Sequence, residues 1–122
     1  MKIMVVDDSG TMRSIVQKAL NDLGYKDLLS CDSGEKALET LEKEKPDLIL
    51  LDWHMGGLSG LETLRIIKSN DKINSIPIIM LTIEQHSRSV AEALGSGAAD
   101  YMVKPLNPVL LQEKIRKYVP GS

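Results

Sequence analysis

Four short apolar runs in this chain each end in residues able to do chemistry. Lys2-Ile3-Met4-Val5-Val6 runs into Asp7-Asp8, and Leu48-Ile49-Leu50-Leu51 runs into Asp52. Ile78-Ile79-Met80-Leu81 ends at Thr82, and Tyr101-Met102-Val103 ends at Lys104-Pro105. Brought together, these residues offer three carboxylates, a hydroxyl and an ammonium. Neighbouring carboxylates in a partly dehydrated crevice repel one another, so either one holds a proton or a cation neutralises them. Carboxylates without histidine or cysteine partners suit a hard, oxygen-loving ion, and Mg²⁺ takes one or two of them while keeping several waters. Such an ion leaves positions open for a phosphoryl oxygen, with Lys104 and Thr82 able to reach the others. A carboxylate nucleophile, a metal, a cation and a hydroxyl are the parts phosphoryl transfer needs. Any one of these residues alone reads equally well as a helix cap, a turn residue or a solvated side chain. Their joint placement at the ends of apolar runs is what argues for a site.

The runs must be strands of one sheet if they are to converge. Apolar runs of this length, separated by helical patterns, read as buried parallel strands, and open α/β sheets bind ligands beyond the carboxyl ends of their strands. Between them, Met12, Ile15, Val16, Ala19, Leu20 and Leu23 recur at helical spacing before Gly24, a good C-terminal stop. Leu28 to Cys31 is a further strand. A helix over 34–44 buries Ala37, Leu38 and Leu41, and Pro46 breaks it. The next helix carries Leu61, Leu64 and Ile67, with Ile66 widening its stripe. The following one has only Val90, Ala91, Ala93 and Leu94 as clear apolar positions before Gly95 and Gly97. Asn107-Pro108 starts the last helix as N-cap and first helical residue, and Leu110, Leu111, Ile115 and Tyr118 or Val119 give its buried face. Strand and helix alternating five times predict a doubly wound parallel sheet with helices on both faces.

Bulk properties narrow the setting. With 122 residues the chain is long enough for a single domain with a real core. Fifteen basic and seventeen acidic residues leave a formal charge of −2, which gives no reason to expect nucleic-acid or membrane-surface binding. The one cysteine, Cys31, lies in an apolar stretch and reads as a core residue. The first apolar run stops at Asp7, too soon for a signal peptide, and no stretch approaches the ~18 residues of a membrane span. These features predict a soluble cytoplasmic protein, with residues 1–119 as one domain and 120–122 as a tail.

The sequence resembles the receiver domains of two-component response regulators, most closely the single-domain chemotaxis regulators. The resemblance covers nearly the whole chain. It is carried by Val5-Val6-Asp7-Asp8-Ser9, Thr11-Met12-Arg13, Leu51-Asp52-Trp53, Gly60, Met80-Leu81-Thr82 and Tyr101-Met102-Val103-Lys104-Pro105. It implies a flavodoxin-like sheet of strand order 2-1-3-4-5 with five helices. It further implies that Asp52 accepts a phosphoryl group from a sensor histidine kinase of the chemotaxis type or from a small acyl phosphate. Asp8 and Asp52 would bind Mg²⁺ directly, Asp7 through water, and His54 through its backbone carbonyl. Lys104 would contact the phosphoryl group, and the peptide before Pro105 would be cis. Thr82 would swing toward the phosphoryl oxygens and Tyr101 would turn inward behind it. That movement would switch the face formed by the fourth helix, fifth strand and fifth helix toward an output protein such as the flagellar motor.

Some positions depart from the common receiver pattern. His54-Met55-Gly56-Gly57 stands where receivers usually have Met-Pro, which should loosen this loop. His54, Ile83 and Glu84 are expected to tune the kinetics, Ile83 because a small residue is usual after the threonine. Leu106 replaces a common phenylalanine and is expected to be silent. A close variant of this reading is a receiver cut from a longer regulator with a DNA-binding or enzymatic output. A small-molecule phosphatase with an aspartate nucleophile commonly carries a second aspartate two residues on, where this chain has His54. A flavin binder would need a phosphate loop after the first strand, where Asp7-Asp8 would repel the ligand.

Overall fold

The computed structural model describes residues 1–83 and 89–121 and the backbone of 87–88. Its strands are β1 (Lys2–Val6), β2 (Asp27–Cys31), β3 (Leu48–Asp52), β4 (Ile78–Thr82) and β5 (Asp100–Val103). Its helices are α1 (Gly10–Asp22), α2 (Gly34–Leu41), α3 (Gly60–Lys68), α4 (Ser87–Gly95) and α5 (Pro108–Tyr118). All neighbouring strands pair in parallel in the order β2-β1-β3-β4-β5, with Met4 opposite Ile49, Leu51 opposite Met80, and Leu81 opposite Met102. This is the doubly wound order the resemblance implies.

Strand side chains alternate between faces, so one sheet feeds two cores. Met4, Val6, Ile49, Leu51, Ile78 and Met80 pack with Ala37, Leu41, Leu64, Ile67 and Ala93 from α2, α3 and α4. Ile3, Val5, Leu48, Leu50, Ile79, Leu81 and Met102 pack with Val16, Leu20, Leu111 and Ile115 from α1 and α5. Full burial of such side chains contributes roughly 1.5–3 kcal/mol each before the entropy of ordering is subtracted. Cys31 belongs to the first core, and burial pushes its thiol up from the ordinary value, which suits an inert packing residue.

Side-chain caps set the helix starts. The Ser9, Ser33 and Ser59 hydroxyls accept from the amides of Met12, Lys36 and Glu62, and Asn107 caps α5 ahead of Pro108. Gly24 follows α1 with φ +97°, the left-handed conformation that glycine adopts without penalty. Helix α2 is shorter than its pattern suggests. It ends at Leu41, and the amides of Glu42 and Lys43 bond three residues back to Glu39 and Thr40. Glu42, Lys43 and Glu44 have no apolar surface to bury, so the last turn tightens instead of extending. Ile15, Ile66, Leu94 and Leu110 also lie outside the buried stripes assigned to them and are exposed.

Candidate active site

Asp7, Asp52 and Lys104 meet for a reason contained in the strand alternation. Counting by two, Asp7 continues Ile3 and Val5, Asp52 continues Leu48 and Leu50, and Lys104 continues Met102. All three therefore leave the sheet on the side of α1 and α5. The Lys104 ammonium donates to Asp7 Oδ2 at 3.0 Å and to Asp52 Oδ1 at 2.9 Å. The sheet ladder fixes their backbones. The amides of Asp7, Trp53 and Lys104 donate to the carbonyls of Cys31, Leu81 and Thr82 at 3.1, 2.8 and 2.8 Å.

Asp7 is 1% exposed and held from every side. Its Oδ1 accepts from the Ser9 amide at 2.9 Å, and its carbonyl accepts from Arg13 Nη1 at 2.7 Å. Asp8, one residue on, is exposed, and its Oδ2 accepts from the Gly56 amide at 3.2 Å. Asp8, Trp53, His54, Met55 and Ser59 line an open cleft of about 390 Å³. The loop bordering it is closed at its base, where the Gly60 amide donates to the Trp53 carbonyl. Gly60 lies so close that a Cβ there would run into the Asp52 carbonyl oxygen, so only glycine lets α3 start against the end of β3.

The electrostatics separate this cluster from an ordinary ion pair. Oxygens of Asp7, Asp8 and Asp52 lie within 4.8 Å of one another, against one ammonium. Burial pushes the Asp52 carboxyl above the ordinary carboxylate range; the Lys104 hydrogen bond opposes this, and the charges of Asp7 and Asp8 reinforce it. Burial pulls Lys104 down, but its hydrogen bonds to Asp52 and Asp7 outweigh that and hold it above its usual value. Three hard oxygen donors lying together with an excess of negative charge, Asp8 among them lining the open cleft, fit a small divalent cation, Mg²⁺ in particular.

Thr82 belongs to the other side of the sheet, because it continues Ile78 and Met80. It is 7% exposed and shares a nearly closed gap of about 10 Å³ with Trp53, Met80, Ser89, Val90, Ala93 and Tyr101. Tyr101 is half-buried against the first core. The Lys104–Pro105 peptide is cis. His54 is exposed on the loop, and Ile83 projects into solvent at 67% exposure. Leu106 packs partly buried against the second core. Glu84 lies outside the described residues. Two contributors were not assigned from sequence. Arg13, six residues after Asp7 and on the first turn of α1, could have been found as a cation within reach, but the Gly56 amide leaves no trace in residue type.

The response regulator receiver domain profile matches residues 3–116. The chain belongs to the response regulator receiver family. The receiver is 37% identical to the chemotaxis protein CheY of Pseudomonas aeruginosa, over 96% of this chain and 94% of that one. It is 40% identical to CheY1 of Helicobacter pylori, over 94% of each. Among solved structures it resembles CheY4 of Vibrio cholerae, with a TM-score of 0.89 and 30% identity over 97% of this chain and 98% of that one. It also resembles the receiver domain of the sensor histidine kinase PA1611 from Pseudomonas aeruginosa, with a TM-score of 0.87 and 26% identity over 96% and 95% of the two chains. That structure holds a magnesium ion in its active-site cleft. The chain is thus a CheY-type receiver, a signalling switch of two-component systems rather than a turnover enzyme. Among its described residues, no helix is long and apolar enough to cross a membrane.

Proposed function

We propose that this receiver is switched by phosphorylation of Asp52, with a chemotaxis-type sensor histidine kinase or a small acyl phosphate as donor. The observation that carries the reading is the buried Asp52 carboxylate, bridged by Lys104 and set beside two further carboxylates. Asp7, Asp8, Asp52 and the His54 carbonyl would hold Mg²⁺, which supplies positive charge to the phosphoryl oxygens when bound. Lys104 engages Oδ1 of Asp52, so Oδ2 is the oxygen left to attack phosphorus. The new P–O bond forms as the bond to the donor breaks, and the donor nitrogen or carboxylate leaves with the electron pair. Lys104 follows the developing charge from the Asp52 oxygen to a phosphoryl oxygen, while Asp7 keeps it at the cleft.

The readout follows from the position of Thr82. Its hydroxyl turns toward the phosphoryl group, which opens the closed gap that it shares with Tyr101. The Tyr101 ring moves into that space, and the face of α4, β5 and α5 presents a different surface to its output protein, with the flagellar motor switch as the target of a chemotaxis regulator. Residues 1–119 act as the switching unit. His54, which lines the cleft, the exposed Ile83 that follows Thr82, and the following Glu84 tune how fast the phosphoryl group arrives and leaves.

Incubation with Mg²⁺ and acetyl phosphate tests the reading, with mass and Trp53 fluorescence as readouts. A single phosphoryl increment, absent in Asp52→Asn and after chelation, is the expected result. Folded protein that binds Mg²⁺ but gains no mass would refute Asp52 as the acceptor.

A further inference from the structure

We infer that the groove between α2 and α3 binds a small organic anion, an apolar body that carries a carboxylate or sulfonate. The two helices form a wedge. At their starts they touch, because a Cβ on Gly34 would run into the buried Thr63 hydroxyl and the Leu58 side chain. Toward their ends they part and leave a groove of about 680 Å³, within the size range of small-molecule sites. Its walls are Leu38 and Leu41 from α2, Ile66 from α3 and Ile73 from the turn that follows. Ile66 is 43% exposed here, apolar surface that a bound hydrocarbon would cover.

The polar lining supplies the charge preference. Lys45 and Lys72 border the groove against a single carboxylate, Glu42. Among the described residues, no carboxylate pairs with either ammonium. Neither lysine is needed to cap a helix. The Glu39 and Thr40 carbonyls that end α2 accept from the amides of Glu42, Lys43 and Glu44, and Lys68 bridges the Asn74 and Ile76 carbonyls beyond α3. Asn70 Oδ1 accepts from the Lys72 amide, which leaves the Asn70 NH₂ to donate. Apolar walls with two ammoniums and an amide donor complement a hydrocarbon with an anionic end. The groove lies at the far end of the sheet from Asp52. Lys45 precedes β3 and Lys72 precedes β4, and five-residue strands put about 16 Å between the two ends. No group of the phosphorylation site takes part.

The probe is 8-anilinonaphthalene-1-sulfonate, an apolar body with a sulfonate, and its uncharged parent N-phenyl-1-naphthylamine is the control. Fluorescence titration of the full chain at low salt should saturate at one site, with the parent binding about 10-fold more weakly. Lys45→Glu combined with Lys72→Glu should weaken the sulfonate about 10-fold and leave the parent within about twofold. Ile66→Ser should weaken both probes. All three side chains are exposed, so the variants keep the fold. Amide NMR shifts on titration should cluster at 38–45 and 66–73. No saturable response, or shifts confined to other elements, would overturn the site. Equal affinity of the two probes, or a sulfonate indifferent to the lysine changes, would mark an uncharged apolar occupant and overturn the anion. A response that fades as chain concentration rises, with a dimer in sedimentation, would place a second copy in the groove and overturn the small ligand.

Discussion

Strand β5 carries a lysine–aspartate contact at each end, and the two contacts are built to opposite purposes. At its start, Asp100 Oδ1 accepts from the Tyr101 amide at 2.8 Å, and Oδ2 accepts from Lys114 at 2.8 Å and the Tyr118 hydroxyl at 2.9 Å. One carboxylate faces one ammonium, and both oxygens are used. Burial works against this carboxylate, but Lys114, the Tyr101 amide and Tyr118 outweigh it and hold Asp100 below the ordinary range. Just past the other end, Lys104 answers to Asp7 and Asp52 with Asp8 nearby, and Asp52 is pushed up. Charge in balance makes a brace that fastens α5 to the sheet. Charge in excess makes a site suited to a cation, and on the proposed reading to an electrophile.

Removing each lysine should separate the two most widely. Lys104→Met strands two buried carboxylates, which costs about 3 kcal/mol where the charges persist. It should also slow phosphoryl acceptance at least about 100-fold, since a cation facing the transferring group is lost. Lys114→Met should lower stability by about 2 kcal/mol and leave acceptance unchanged. Urea melts and acetyl-phosphate kinetics on both variants check this. Equal kinetic losses would mean that Lys104 is only another brace.

The aspartates should respond to pH with opposite signs. A carboxyl that titrates higher folded than unfolded binds its proton more tightly in the folded chain. Stability then falls as pH rises from the ordinary carboxylate value through the raised one. For Asp52 that cost builds as pH rises from the ordinary carboxylate value through the raised one. Asp52→Asn should raise the melting midpoint at pH 7, where each kcal/mol is worth roughly 4 °C, and Asp7 still neutralises Lys104. The gain should vanish below about pH 3.9. Asp100 behaves the other way: its contribution is present above the ordinary value and is lost as pH falls through the lowered one. Asp100→Asn should cost about 2 kcal/mol at pH 7, and the difference from the wild type should shrink in acid. Thermal melts that moved both variants in the same direction would break the comparison.

The site was more legible in the sequence than the brace, and the reason is physical. Asp7, Asp52 and Lys104 each interrupt an apolar run, and the two-residue period of a strand already puts them on one side of the sheet. Asp100, Lys114 and Tyr118 interrupt nothing, so helical spacing marks Tyr118 as packed but says nothing of its hydroxyl. Sheet order came through the family resemblance, while element order followed from periodicity alone. The exposed Ile66 and Leu110 show where the period is too coarse. A residue about 100° from the centre of a helical stripe counts as apolar in the sequence, yet whether it is covered depends on the neighbouring element. Backbone donors such as the Gly56 amide have no residue-type signature at all.

Ile83 sets the finest test of the comparison, because it stands next to the site without belonging to its charge. It follows Thr82 at the end of β4 and is 67% exposed, so deleting its side chain removes almost no buried surface. Ile83→Ala should leave the melting midpoint within experimental error. Its bulk beside Thr82 is proposed to restrict approach to Asp52, so acyl-phosphate turnover should rise a few-fold, with Mg²⁺ affinity unchanged. That pattern would assign the restriction to steric access and not to the charge cluster. If turnover does not change, access is not limiting, and the rate is set by the excess negative charge that the cation and Lys104 must first offset.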